Sequence, residues 1–190
     1  MDFSINNENE TYNNQDFSTS KLSKQYYGCE FVDCNFENVK LSEITFIECK
    51  FTNCNLSNAR LNFAAFKDAI FENCKLLGVN FNDSNPFLLN FTFNQCDLTL
   101  ASFYQLKIKN TFFKKCNLQE VDFTESDLSK SNFDNWGLSR AIFEKSNLEK
   151  TNFSTANNTS INPEINNIKQ AQFSIENIQG LLNHLDIIIN

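Results

Sequence analysis

Large apolar residues recur every five positions along most of this chain. Phe31, Phe36, Leu41, Phe46, Phe51, Leu56, Leu61, Phe66, Phe71, Leu76 and Phe81 form one unbroken series. After a gap of 12 residues a second series starts at Phe93 and continues through Leu98, Phe103, Ile108, Phe113, Leu118, Phe123, Leu128, Phe133, Leu138, Phe143 and Leu148 to Phe153. A helix repeats about every 3.6 residues and a strand about every 2, so neither holds a five-residue pattern on one face. Two residues before each of these centres lies a second repeating position, usually small or apolar: Cys29, Cys34, Val39, Ile44, Cys49, Cys54, Ala59 and Ala64, and later Cys96, Ala101, Cys116, Val121 and Ser126. Two inward residues separated by one outward residue make a short piece of strand. The other two residues of each five must turn the chain. The unit is a strand and a corner, and a succession of such units coils.

The cysteines indicate how many units close one coil. All seven sit at the small inward position, each with a partner 20 residues away: Cys29 with Cys49, Cys34 with Cys54, Cys54 with Cys74, Cys96 with Cys116. Twenty residues are four units, which predicts a four-sided coil stacking each cysteine on its partner about 4.8 Å away. In the second series Phe and Leu centres alternate with the single exception of Ile108, so opposite sides of the square carry the same residue type.

The runs CNFEN, CNLSN, CDLTL, CNLQE, VDFTE, SDLSK and SNLEK resemble the pentapeptide-repeat family, whose unit is A/C/S, D/N, L/F and two variable residues. The resemblance covers residues 26–158. It implies an all-β solenoid, a right-handed quadrilateral β-helix. Residues 1–25 are expected to cap the first coil, with Phe17 and Leu22 as packing residues. The register break at 82–92 adds two residues beside the turn signal Asn85-Pro86. Residues 159–190 read as a C-terminal cap and dimerisation segment. There Ser174 is a candidate N-cap for a short α-helix over about 175–185, with Ile175, Ile178, Leu181, Leu182 and Leu185 on one face. The tail, with its N-P-E-I-N and G-L-L runs, is similar to that of small bacterial members of the family. The C-terminal segment of several members makes a homodimer, which implies an interface at Ile178, Leu181, Leu182, Leu185, Ile187 and Ile189.

Composition then narrows the chemistry. The chain has 23 acidic and 16 basic residues, and only 4 glycines and 2 prolines, so few conventional loops are expected. Its polar, acidic N-terminus lacks the charged-then-apolar pattern of a signal peptide, and it contains no apolar run of about 20 residues. A cytoplasmic protein with reduced thiols and no membrane contact is expected. At the inward position the cysteines read as small core residues, with no metal role. His184 is the only histidine, and no nucleophile, phosphate-loop or metalloprotease pattern accompanies it. A filled coil leaves no cavity for a small-molecule substrate. No enzymatic activity and no cofactor are expected.

Two functions remain. The resemblance to quinolone-resistance members of the family implies a DNA-mimicking modulator of a type II topoisomerase such as gyrase. Between residues 30 and 153, however, 16 acids face 13 bases. A duplex of the rod's length, about 30 Å, would carry about 18 charges. The alternative is a rigid scaffold for another protein partner, gripped at the break by Asn85, Pro86 and Phe87. Trp136, a bulky residue at a small inward position, is a further candidate contact beside the reading of a locally distorted corner. Direct nucleic-acid binding does not fit an acidic chain whose basic strip, Lys107 to Lys115, is short.

Overall fold

A computed structural model describes residues 7–134, 137–185 and 187. Trp136 and Ile189 lie outside these described residues. The chain winds as a parallel β-solenoid with four sides. Strands β1 (Thr11–Asn13), β2 (Gln25–Tyr27), β3 (Glu30–Val32), β4 (Thr45–Ile47), β5 (Lys50–Thr52), β6 (Ala65–Glu72), β7 (Leu89–Asn94), β8 (Phe112–Lys114) and β9 (Asn132–Asp134) pair only in parallel. The partner offset is 20 residues, as in Phe31 with Phe51, Phe46 with Phe66 and Phe113 with Phe133. The spacing of the cysteines is thus the length of one coil.

Side-chain size accounts for the filled interior. One side stacks nine rings, Tyr12, Phe31, Phe51, Phe71, Phe93, Phe113, Phe133, Phe153 and Phe173, with centroids 4.8–5.4 Å apart and planes within 15°. The opposite side stacks Phe81, Phe103, Phe123 and Phe143 at 4.7–5.3 Å. Rings of the two columns meet edge to face, as Phe123 and Phe133 do at 88°. Both arrangements suit the ring quadrupole. Of the two remaining sides, one stacks Phe17 on Phe36 before the leucines from Leu56 to Leu138, and the other stacks Tyr26, Phe46 and Phe66 before Ile108, Leu128 and Leu148; these centres are buried.

The second residue of the unit shapes the corner. The Oδ1 atoms of Asn35, Asn55, Asp97, Asn117, Asp122, Asp127, Asn147 and Asn152 each accept the backbone N–H two residues on, at 2.9–3.3 Å. This Asx arrangement is why Asp or Asn precedes the apolar centre. The corner residue itself is left-handed: among the described residues, 24 non-glycine ones have φ between 51° and 62°. Asn tolerates this region best among residues with a Cβ and fills eight of these corners; most of the others carry Glu, Gln, Lys or Arg, so the repeat imposes the left-handed turn with little glycine. Phe63 is an exception at φ 57°, with 71 % of its surface exposed. Phe63→Asn is expected to stabilise the fold by about 1 kcal/mol and raise Tm by about 2–4 °C in a thermal melt.

The repeat extends further than the sequence pattern indicates. At the N-terminus the offset is 19, with Tyr12 on Phe31 and Asp16 bridging Asn35. Residues 8–17 are therefore already part of a coil, a register shift of one residue having hidden them. Phe17 is buried and stacks on Phe36 at 4.5 Å. At the break the offset becomes 23 for Phe66 with Leu89 and 22 from Ala69 with Phe91 onward. The extra residues follow a 3-10 helix at Phe81–Asp83. Phe91 fills a position that is small elsewhere, opposite Ala69, so this coil is wider.

The C-terminal tail corrects one expectation. Instead of an α-helix over 175–185 it forms two 3-10 helices, Ile178–Leu181 and Asn183–Leu185. The N-cap of the first of these is Asn177 and not Ser174, which instead closes the preceding turn: its Oγ accepts the Asn177 N–H at 3.3 Å, and the Ser174 N–H donates to Asn177 Oδ1 at 2.9 Å. The tail is then tied to the last coil by the Asn177 side chain, which donates to the Phe153 and Ala156 carbonyls. The Gly180 carbonyl accepts the Ile161 N–H at 3.0 Å. These anchors hold the tail flat on the coil end, which a regular α-helix cannot follow at every turn. Ile175, expected on the packed face, is 88 % exposed.

Candidate functional site

With the interior filled, any function lies on the outside. Among the described residues no group of three or more His, Cys, Asp or Glu side chains could hold a metal ion. None of the described helices is long and apolar enough to cross a membrane. His184 lies exposed in the last 3-10 turn.

The cysteines face inward, free and buried. Their thiols donate to backbone carbonyls: Cys54 to Phe31 and Thr52 at 3.3 and 3.4 Å, Cys74 to Phe51 and Glu72 at 3.4 and 3.3 Å. Later coils give the same task to hydroxyls, as in Thr151 Oγ1 to the Leu128 carbonyl at 2.8 Å. Burial pushes the Cys49 thiol up to about 12. The hydrogen bond to Cys116, with burial, holds Cys96 at about 12. Thiols this weakly acidic carry almost no thiolate near neutral pH. Iodoacetamide at mildly alkaline pH is therefore expected to label none of the seven cysteines in the folded protein and all seven in denaturant. Intact mass would show it, and rapid labelling of the native chain would contradict a buried column.

The surface does not segregate charge. The phenylalanine side carries Glu30, Asp33, Glu72 and Asp134 with Lys50, Lys114 and Lys115. The side centred on Ile108, Leu128 and Leu148 has more bases than acids: Lys67, Lys107, Lys109, Lys130, Lys150 and Lys169 against Glu48, Asp68, Asp127 and Glu149. Opposite charges pair between coils, as in Lys50 with Glu72 at 2.8 Å and Arg140 with Glu120. The Lys50 ammonium beside Glu72 holds that carboxyl below the usual range.

The register break makes the most apolar exposed corner. Asn85 organises it: its Oδ1 accepts the Phe87 N–H at 3.1 Å, its N–H donates to the Ala64 carbonyl at 2.8 Å, and its carbonyl accepts the Leu88 N–H at 3.3 Å. The Phe66 N–H reaches the Leu88 carbonyl at 3.0 Å, and the Phe63 N–H reaches the Asp83 carbonyl at 2.8 Å. Residues 63–66 are thus laced to 83–88, bringing Phe63 to the same corner as Pro86, Phe87 and Leu88. Phe87 is 92 % exposed. Sequence reasoning singled out Asn85, Pro86 and Phe87 and missed Phe63. The available signal was an aromatic where, apart from Leu100, the other described corners carry polar residues or glycine.

The tail gathers the other set. Ile178, Leu182, Leu185 and Ile187 are exposed at the end of the rod, while Leu181 packs partly against the core.

The family model of the pentapeptide repeat region matches residues 24–86 and 87–173, most of the chain. The chain belongs to the pentapeptide-repeat family. Solved structures that the chain matches include full-length QnrB1, a plasmid-mediated fluoroquinolone resistance protein, at 15 % identity, TM-score 0.43, covering 95 % of this chain and 99 % of that one. HetL, involved in heterocyst differentiation regulation in the cyanobacterium Nostoc sp., is 16 % identical at TM-score 0.39, covering 90 % and 88 %. Rfr23 from the cyanobacterium Cyanothece is 12 % identical at TM-score 0.21, covering 75 % and 87 %. No match was found among curated proteins. The partner therefore has to be argued from the surface.

Proposed function

We propose that this pentapeptide-repeat protein is a non-enzymatic rod that binds a protein partner through the corner of Phe63 and Phe87. The observation that carries the reading is Phe87, an aromatic 92 % exposed on a loop that Asn85 fixes to the coil below. Exposed aromatics on a rigid support are typical anchors, since they bury much area with little loss of freedom. Phe63 strengthens it, because its left-handed backbone is strained and nothing in the fold requires an aromatic there. The exposed tail residues Ile178, Leu182, Leu185 and Ile187 form the proposed homodimer contact in the same cytoplasmic protein.

Type II topoisomerase is the specific partner implied by the resemblance to quinolone-resistance members. Mixed charge on the described sides favours a grip through apolar contact over imitation of a duplex, which needs a continuous anionic face. Two experiments separate the readings. Titrating the protein into gyrase supercoiling with ciprofloxacin should restore supercoiling if topoisomerase is the partner, and Phe87→Ser should abolish the rescue. Absence of rescue by folded protein excludes that partner. A photo-crosslinking residue at position 87 should then give one dominant adduct in producing cells, and a residue at position 124 should not. Equal adducts from both positions would remove the corner from consideration.

A further inference from the structure

Further along the side that carries Phe87, about one to three coils toward the C-terminus, the surface changes sign. Lys109, Lys130 and Lys150 line a cleft of about 320 Å³ together with Asn110, Ser129, Asn147 and one acid, Glu149. Lys107 and Lys169 stand exposed on neighbouring coils of the same side. The register that stacks Asp127 on Lys107, Asn147 on Asp127 and Asn167 on Asn147 holds these coils in line. Lys130 and Lys150 occupy the left-handed corner, at φ 62° and 59°, where the coil below has Asn110 at 58°. Single basic residues also stand at other left-handed corners, as Lys115, Arg140 and Lys145 do, but among the described corners only this one carries lysine on two successive coils. Lys109 pairs with Asp127 at 3.1 Å and Lys150 with Glu149 at 3.5 Å. Among the described residues Lys130 makes no ion pair.

We infer that this lysine-lined corner docks an acidic segment of the protein partner, its carboxylates seated among Lys109, Lys130 and Lys150. The inference rests on the protein-binding reading and continues the grip of Phe87 along the same side. Two features favour an acidic polypeptide over nucleic acid. Asp127 and Glu149 interrupt the lysines, which repels a uniform line of phosphates but tolerates spaced carboxylates. The chain as a whole carries a net charge of −7, so a polyanion gains no long-range attraction and only a short segment fits the local positive surface.

The test is fluorescence anisotropy with the full chain, using fluorescein-labelled hexaglutamate and a labelled oligothymidylate of equal charge, at low and raised salt. Lys130→Asn/Lys150→Asn removes two charges while suiting the left-handed corner, so thermal melts should show it folded. Hexaglutamate binding is expected to weaken about tenfold in this variant and to fall with salt, whereas Lys40→Asn/Arg60→Asn on another side leaves it unchanged. Phe87→Ser should also leave it unchanged, which separates failure of this site from failure of the apolar corner. No saturable hexaglutamate binding, equal loss in both lysine and control variants, or tighter binding of the oligonucleotide would overturn the inference.

Discussion

Phe113→Ala is expected to cost about 3–5 kcal/mol and to divide the unfolding of the rod into two steps. Phe113 is 1 % exposed and sits between the Phe93 and Phe133 rings at 5.4 and 4.9 Å. It also meets Phe103 and Phe123 edge to face at 5.9 and 5.8 Å. Deleting the ring leaves a void with four aromatic walls. The void resists collapse, because the parallel ladder fixes the coil spacing from outside. Stability in a solenoid is close to a sum of coil and neighbour terms, so a fault in the middle weakens the coupling between two halves. Urea unfolding followed by circular dichroism should show an earlier and broader transition, and hydrogen exchange should show the two halves opening separately. Phe113→Leu restores most of the volume and should cost less than about 1.5 kcal/mol. A single unshifted transition for the alanine variant would mean that the ring column contributes little.

Gly180→Ala should release the C-terminal tail from the last coil. A Cβ at Gly180 would lie 1.9 Å from the Thr159 carbonyl oxygen and 2.8 Å from its carbon. Both are backbone atoms, so no side-chain rotation relieves the overlap. Only the tail can move. Its departure breaks the bond from Ile161 N–H to the Gly180 carbonyl and the anchors from Asn177 to Phe153 and Ala156. The cost is about 3 kcal/mol, felt locally. Hydrogen exchange over 174–185 should rise sharply with the central coils unchanged, and the proposed dimer should be lost in the same variant. Exchange like that of the parent protein would place the tail elsewhere than on Thr159.

The five-residue pattern revealed the coil because inward positions depend on side-chain size, which the residues report directly. Cysteine spacing gave the four sides for the same reason. What the sequence concealed depends on contacts between coils. The one-residue shift before Phe31 breaks the register without breaking the fold, so Tyr12 and Phe17 went unread as coil residues. Phe91 occupies a small position only because the break widens its coil over Ala69. In the tail, the spacing of Ile178, Leu181, Leu182 and Leu185 was that of an amphipathic helix, but Gly180 marks a close backbone approach to Thr159, 21 residues earlier. The candidate corner was half legible. Asn85-Pro86 announced a turn, whereas Phe63 joins it through a bond to a carbonyl 20 residues ahead.

The 20-residue offset of the upper coils makes the rod a device with a length and a phase. Duplicating residues 113–132 would lengthen it by one coil and leave each column in line. Duplicating only five residues there would rotate everything beyond by a quarter turn. The aromatic corner, the lysine corner and the tail would then keep their structures but point in new relative directions. Partner geometry in such a protein can be reset by insertion length alone, with no change to the residues that make contact.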